Sequence, residues 1–277
     1  MTVINTNTSA LRAQNASRLA DNNLNTAMTR LSSGKSINSA SDNAAGLAIS
    51  SSMTSQINGM NQAISNANDG VSLAQTADGA LGEVTNMVQR INQLAVQSAN
   101  GTYQSSDRTD MNTEVKQLQQ QITQVVKGTQ FNGKNLFSST SATTFKIQTG
   151  ATANTTTDQV TINISALADL KTAMSNATLT VATSTGALAA LKTISAALTS
   201  INTVRAGLGA SESRLNSVVN NLTTNVTNLS DARSRIQDTD YSSETTNLAR
   251  SQILSQASTA MLAQANQSQQ NVLSLLK

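Results

Sequence analysis

The stretch MTSQINGMNQAISNANDGVSLAQTADGALGEVTNMVQRINQLA, residues 53–95, decides the fold. Its apolar residues fall at Met53, Ile57, Met60, Ile64, Ala67, Val71 and Ala74, then at Ala77, Leu81, Val84, Val88, Ile91 and Ala95. The steps alternate four and three, the repeat of a helix that turns one apolar stripe toward a partner. One place breaks the rhythm, because Val71, Ala74 and Ala77 are separated by two steps of three. Such a stammer locally overwinds a coiled coil. Asp69-Gly70 and Asp78-Gly79 flank it, and dipeptides of this kind mark turns. The period nevertheless runs through both, which predicts one continuous helix with a softer segment near Ala74.

A second seam runs from Leu191 to Ile236, through Ile194, Leu198, Ile201, Leu208, Leu215, Val219, Leu222, Val226 and Leu229. With Leu191 at an a position and Ile194 at d, the polar exceptions Arg205, Glu212 and Arg233 all occupy a positions. Polar residues there set register and partner at some cost in stability. At 1.5 Å per residue each seam is roughly 65–70 Å long. Equal lengths in the two halves of the chain predict an antiparallel pairing. A shorter helix fits Met111, Val115, Leu118, Ile122 and Val125, folded back on the first through the polar stretch Asn100 to Arg108.

Between the seams the pattern changes. Phe131-Asn132-Gly133-Lys134 carries a hairpin turn signal. Phe145, Ile147 and Thr149 alternate with polar residues, as do Val160, Ile162 and Ile164, and both runs read as short strands. Residues 169–186 are rich in Thr, Ser and Ala with no clear period, which predicts a short variable loop. The fold class is therefore mainly α: a long antiparallel coiled-coil or helix-bundle rod with a small β-hairpin region in the middle.

The two ends differ from both seams. Ser251 to Leu276 carries no charged side chain, and neither does Met1 to Leu11. Apolar residues still recur at helical spacing, at Leu254, Ala257, Met261, Ala265, Val272 and Leu276, and at Ile4 and Leu11 near the start. A solvent-facing helix ordinarily carries charge on its outer face. A membrane span would be apolar over about 20 residues, whereas these are studded with Ser, Asn and Gln. The pattern predicts ends covered by copies of the same chain, a terminal assembly seam.

The chain has 277 residues with no Cys, His, Trp or Pro. That removes the common zinc and transition-metal sites and the usual Ser-His-Asp and Cys-His mechanisms. Without Pro, long helices need no interruption. Aromatic residues make up 2%, so burial rests on Leu, Ile, Val, Met and Ala. The net charge is +3, with Lys and Arg scattered singly, which gives nucleic-acid binding little support. The N-terminus has neither the basic nor the apolar region of a cleaved secretory signal. Asp69 and Asp78 are nine residues apart, and neither implies a cleft for acid–base chemistry.

The ordered motifs of this chain resemble those of bacterial flagellin over nearly its whole length. They include Ile4-Asn5-Thr6-Asn7, Leu31-Ser32-Ser33-Gly34, Ile37-Asn38-Ser39-Ala40 and Asp42-Asn43-Ala44-Ala45-Gly46-Leu47-Ala48-Ile49. Asp78-Gly79-Ala80-Leu81, Gln89-Arg90, Leu94-Ala95-Val96-Gln97-Ser98-Ala99-Asn100 and Phe131-Asn132-Gly133 follow. In the C-terminal part come Arg233-Ser234-Arg235-Ile236, Asp238-Thr239-Asp240-Tyr241 and Asn271-Val272-Leu273-Ser274-Leu275-Leu276. Lys35-Ser36 departs from the larger apolar residue and Arg that many relatives carry.

The resemblance implies an extracellular filament subunit with no enzymatic activity and no cofactor, exported without a cleaved signal. It implies an inner coiled-coil layer of residues 1–42 and 237–277, joined by a spoke at about 32–46. The helical rod domain would comprise 43–168 and 187–236, with hairpins at about 131–165, and 169–186 would replace the outer domains of larger relatives. Implied partners are copies of the chain, the flagellar cap and hook-associated proteins, and an export chaperone at the C-terminal segment. Neither nucleic acid nor membrane insertion is implied. Gln89, Arg90, Leu94, Gln97 and Glu114 match the patch by which the flagellin-sensing Toll-like receptor of hosts detects many relatives, and they match a protofilament contact. A hook–filament junction protein is the alternative, and the matches between Gln89 and Asn100 favour flagellin. A protease insertion is excluded by the lack of His and by the short middle segment.

Overall fold

The computed structural model describes residues 6–138, 141–150, 154, 156–173 and 179–274; the side chains of residues 169 and 271–274 lie outside that description. Among the described residues the order is α1 (Thr8–Ser33), α2 (Ala44–Ala99), α3 (Ser105–Gly128), β1 (Gln130–Phe131), β2 (Lys134–Asn135), β3 (Thr143–Gln148), β4 (Gln159–Ile164), α4 (Ala168–Ala173), α5 (Ser184–Gln237) and α6 (Tyr241–Ser274). The fold is mainly α, as expected, and α2 runs unbroken through both Asp-Gly pairs. The chain divides into two compact units, one of residues 1–57 and 227–277, the other of 58–226.

The 58–226 unit holds the core. Leu81, Val84, Val88, Ile91, Val115, Ile122, Ile201 and Leu215 are wholly buried in one cluster that extends from Ala67 to Leu215. The α2 seam is buried from Ala67 to Ala95 except at Val71, which is half-buried, and Leu73 and Leu94 widen it because α2 has partners on more than one side. Asp78 pairs with Arg205, Gln75 with Glu212, and Ala99 with Ser184, so α2 and α5 run antiparallel. α5 is long and apolar enough by composition to cross a membrane, yet its apolar line of Ala187, Ala190, Ile194, Ala197, Ile201, Val204 and Leu208 belongs to the core.

Gly70 explains why one Asp-Gly pair sits inside a helix. A Cβ there would lie 3.0 Å from Ile147 of β3 and 3.1 Å from Leu215 of α5. The β3–β4 hairpin is antiparallel, with Phe145 opposite Ile162 and Ile147 opposite Val160. It lies against α2, where Asn66 Nδ2 donates to the Gln148 carbonyl at 3.0 Å. The β1–β2 hairpin turns at Asn132 and Gly133, both with positive φ (49° and 74°), the geometry that Asn-Gly turns supply.

Residues 169–186 depart from the expected variable loop. α4 opens the stretch, and Leu170, Ala173, Leu179 and Val181 are buried core residues. Buried amides on α3 hold the returning chain. Asn112 Oδ1 accepts from Val181 N at 3.0 Å and from Thr180 Oγ1 at 3.1 Å. Gln119 Nε2 donates to the carbonyls of Ala173 and Leu179 at 3.3 and 3.4 Å. Arg108 donates to the Ser98 and Asn100 carbonyls at 2.9 and 2.8 Å, satisfying orphan acceptors at the end of α2.

In the unit of residues 1–57 and 227–277, α1 and α6 form an antiparallel pair. Asn7 Nδ2 donates to the Ala265 carbonyl at 3.1 Å, and Tyr241 Oη donates to the Leu31 carbonyl at 3.1 Å. The chain entering from α1 crosses the chain leaving α5 through backbone bonds. Ser36 N donates to Gln237 O at 2.7 Å, and Thr239 N donates to Gly34 O at 3.0 Å. These bonds are made by backbone atoms, so they do not depend on the larger apolar residue and Arg that Lys35-Ser36 replaces. Asp42 Oδ2 accepts from the Asn38 and Ser39 amides at 3.0 and 2.8 Å, and these bonds hold its carboxyl below the usual carboxylate range.

Two substitution tests follow from this packing. Gly79 meets nothing within 4 Å of a built Cβ, so Gly79→Ala should raise stability by about 0.5–1 kcal/mol. Gly70→Ala should lower it instead, and paired urea melts of the two variants check the contrast. Asn112→Ala strands the Val181 amide and should cost about 1–3 kcal/mol in the same melts.

Candidate functional site: the surfaces available for assembly

The α1–α6 pair has an unusual interior. On α1 the covered line is Ala10, Ala13, Ser17, Ala20, Leu24, Ala27 and Leu31. On α6 it is Glu244, Leu248, Ser251, Ser255, Ser258, Leu262, Ala265 and Gln269. Both follow the three–four repeat of a coiled coil, but small and polar residues fill most positions. Ser255 Oγ donates to Asp21 Oδ1 at 2.8 Å, and Arg30 lies 3.9 Å from Glu244.

Leu24, Leu31, Leu248 and Leu262 lie on these inward lines, but six other large apolar residues of the pair point outward. Leu11, Leu19 and Met28 on α1, and Ile253, Leu254 and Met261 on α6, are about half or more exposed. They do not share one face. Leu254 and Met261 are seven residues apart and align, whereas Ile253 sits about 100° round from Leu254. Leu19 and Met28 are nine residues apart and face opposite sides.

The expected terminal seam thus separates into two parts. Leu11, Leu254, Ala257 and Met261 are exposed, whereas Ala265 is covered by α1 within the same chain. Ile4 and Leu276 lie outside the described residues, as does the side chain of Val272. Sequence periodicity missed Leu19, Met28 and Ile253 as outward residues. Their signal was their position relative to the Ala and Ser repeat, which is the true intrachain seam.

The three polar a-position residues of α5 all reach α2. Arg205 grips Asp78 with a fork, Nε to Oδ1 at 2.7 Å and Nη2 to Oδ2 at 3.3 Å. That hydrogen bond, then the carboxylate charge, raises the guanidinium pKa further. Glu212 Oε1 accepts from Gln75 at 2.9 Å, and Arg233 Nη1 donates to Thr54 Oγ1 at 3.3 Å. The Arg205–Asp78 pair is partly exposed, so its strength is modest and its main content is positional.

On α2 and α3, Arg90 Nε donates to Glu114 Oε1 at 2.8 Å and Arg90 Nη1 to Gln93 at 3.4 Å. Gln97 Nε2 donates to the Tyr103 hydroxyl at 3.1 Å. Gln89, Arg90, Gln97 and Glu114 are exposed. Leu94 does not join them: it is 2% exposed and packs in the core, because α2 buries adjacent positions against two partners. Among the described residues no cluster of three metal-ligating side chains occurs.

Comparison with known proteins accounts for this arrangement. Residues 4–142 match the bacterial flagellin N-terminal helical region, and residues 191–276 match the bacterial flagellin C-terminal helical region. The chain is 42% identical over 272 residues to a flagellin of Halalkalibacterium halodurans, covering 96% of this chain and 98% of that protein. It is 40% identical over 293 residues to the flagellar filament 33 kDa core protein of Treponema phagedenis, covering 99% and 100%. The crystal structure of Bacillus cereus flagellin superposes with a TM-score of 0.50 at 29% identity, over 61% of this chain and 94% of that one. A putative flagellar hook-associated protein from Vibrio parahaemolyticus shares the fold, with a TM-score of 0.58 at 14% identity, over 71% and 100%. The chain belongs to the bacterial flagellin family: it is a structural subunit of an extracellular flagellar filament, polymerises with copies of itself, and is not an enzyme.

Proposed function

We propose that α1 and α6 complete their folding only as the subunit enters the filament, where neighbouring copies cover their outward apolar residues. The carrying observation is the placement on this pair: the inward lines are mostly Ala and Ser with four Leu (Leu24, Leu31, Leu248, Leu262), while Leu11, Leu19, Met28, Ile253, Leu254 and Met261 face out. Ordering each residue costs about 1–2 kcal/mol in backbone entropy. A seam of small side chains returns little of that. Each outward Leu, Ile or Met, once covered, contributes roughly 1–2 kcal/mol. Their different bearings around the pair call for neighbours on more than one side, which suits an innermost layer. On this reading residues 1–42 and 237–277 form that layer, with Leu11, Leu254, Ala257, Met261, Leu19 and Ile253 in its contacts. Ile4, Val272 and Leu276 extend it. Arg205, Glu212 and Arg233 set the register of α5 on α2.

The same reading gives the subunit further partners. Export proceeds without a cleaved signal, and a chaperone covers the apolar C-terminal segment until assembly. The cap and the hook-associated proteins receive the same ends at the two limits of the filament. Gln89, Arg90, Gln97 and Glu114 serve first as a contact between subunits. In the free subunit, the same exposed face is offered to the host flagellin-sensing receptor, with Leu94 supporting it from beneath.

The double variant Leu19→Gln, Leu254→Gln tests the layer. Seeded polymerisation, followed by electron microscopy, should show a critical concentration raised about tenfold or more. The urea melt of the 58–226 core should not move. Normal filaments from this variant would refute the coupling of folding to assembly. For the receptor, folded monomer should activate receptor-bearing cells and Arg90→Ala should weaken that response. A monomer with an intact helical spectrum and no signal would remove the second role.

A further inference from the structure

The chain has no Cys and no Trp, so its eight Met thioethers are its most readily oxidised side chains. Among the described residues they fall into three environments. Met111 is 8% exposed in the core. Met53, Met60 and Met87 are half-buried. Met28 is 55% exposed and Met261 62% exposed, one on α1 and the other on α6. Oxidation follows access, so of the six described methionines these two react first.

We propose that Met28 and Met261 form a reversible oxidation site that closes the free subunit to assembly. The proposal rests on the reading above, in which the outward side chains of α1 and α6 become subunit contacts. The reactant is a peroxide. A lone pair on Sδ attacks one peroxide oxygen and the O–O bond breaks. That oxygen is transferred to sulfur, which is oxidised by two electrons, while the peroxide is reduced to water. No net proton is taken up.

The product has a strong acceptor where the contact was apolar. In solution, water hydrates the sulfoxide of the free subunit at no cost, so the 58–226 core and its buried Met111 are unaffected. In the filament the same oxygen would be covered by a neighbour's apolar surface. Covering it without a hydrogen bond should raise the critical concentration about tenfold for each site, or about 1.4 kcal/mol. The two residues lie on different bearings of the pair, so oxidation obstructs contacts on more than one side. Once covered, both sulfurs are shielded, and the finished filament resists the oxidant that stops the free subunit. A methionine sulfoxide reductase restores the thioether and with it the ability to assemble.

The test treats free subunit and preformed filament with hydrogen peroxide, maps sulfoxides by mass spectrometry, and measures seeded polymerisation. Met28 and Met261 should oxidise several-fold faster than Met111 in the free subunit, and both should slow in filaments. Treated subunit should keep its helical spectrum and lose polymerisation. Met28→Leu with Met261→Leu should assemble and should stay competent after peroxide, and Met28→Gln with Met261→Gln should fail to assemble with no peroxide at all. A Leu variant inactivated as fully as the parent would overturn the assignment, as would a Gln variant that polymerises normally. If the two sulfurs oxidise equally fast in filament and free subunit, while Leu19→Gln with Leu254→Gln still blocks assembly, this proposal fails and the layer reading survives. If untreated parent subunit does not polymerise from seeds, both fail together.

Discussion

The structure depends on where the chain can bury large apolar side chains, and most of those buried among the described residues lie in one cluster. Leu81, Val84, Val88 and Ile91 of α2 are fully covered by the cluster that α3, α4, α5 and the β3–β4 hairpin complete. With only five aromatic residues in the chain, this core is filled mainly by Leu, Ile, Val and Ala. A slip of one helix out of register along another would take these side chains out of their close packing. Asp78–Arg205 and Gln75–Glu212 mark that register from the rim. Each is partly or well exposed, so neither adds much stability. They penalise the shifted pairings in which a charge would meet the apolar line.

Buried polar groups fix the remaining connection. The chain returns from the β region across α3. The Val181 amide and the Ala173 and Leu179 carbonyls are buried there, and buried backbone groups require partners. Asn112 and Gln119, seven residues apart on α3, supply them to Val181, Leu179 and Ala173. Two amides on a core face therefore replace the hydrogen bonds that a strand would have made. Leu170, Ala173, Leu179 and Val181 of this stretch belong to the core.

Periodicity made most of the helices legible. The α2 seam, the α3 repeat and both hairpins follow from apolar spacing and from Asn132-Gly133, since those signals are local. The Asn112 and Gln119 clamp was legible only as an irregularity, two amides beside an apolar stripe. Nothing in residues 169–186 announced it, because a segment held by another element's side chains needs no period. The burial of Leu94 was hidden for a related reason. A single stripe assumes a single partner, and α2 has more than one. At the ends, apolar spacing groups Ala265 with Leu254 and Met261. Two interleaved repeats run along α6: one faces α1 and holds Ser251, Ser255, Ser258 and Ala265 with Leu248 and Leu262, and the other faces out and holds Leu254 and Met261. Spacing alone could not tell which was internal.

That interleaving separates two demands that most helix pairs meet with the same residues. A helix pair must find its register, and it must be stable. On α1 and α6 the register is set by polar contacts of low strength, Asn7 to Ala265, Asp21 to Ser255 and Arg30 to Glu244. Ala and Ser between them let the backbones approach without adding much burial. Leu24, Leu31, Leu248 and Leu262 are the large apolar side chains left inside, and six more are turned away from the pair. A pair built this way knows its alignment before it is stable, and its stability is supplied by whatever covers the outside. For a subunit of a polymer, that arrangement ties order at the ends to the presence of neighbours. The opposite arrangement, with Leu inside and Ser outside, would give a stable free helix pair with no reason to associate. The cost of the observed choice is that six large apolar side chains meet water in the free subunit. The absence of charge along Ser251–Leu276 follows from the same logic, since a Lys or Glu on the outward face would have to be desolvated at every contact that the filament makes.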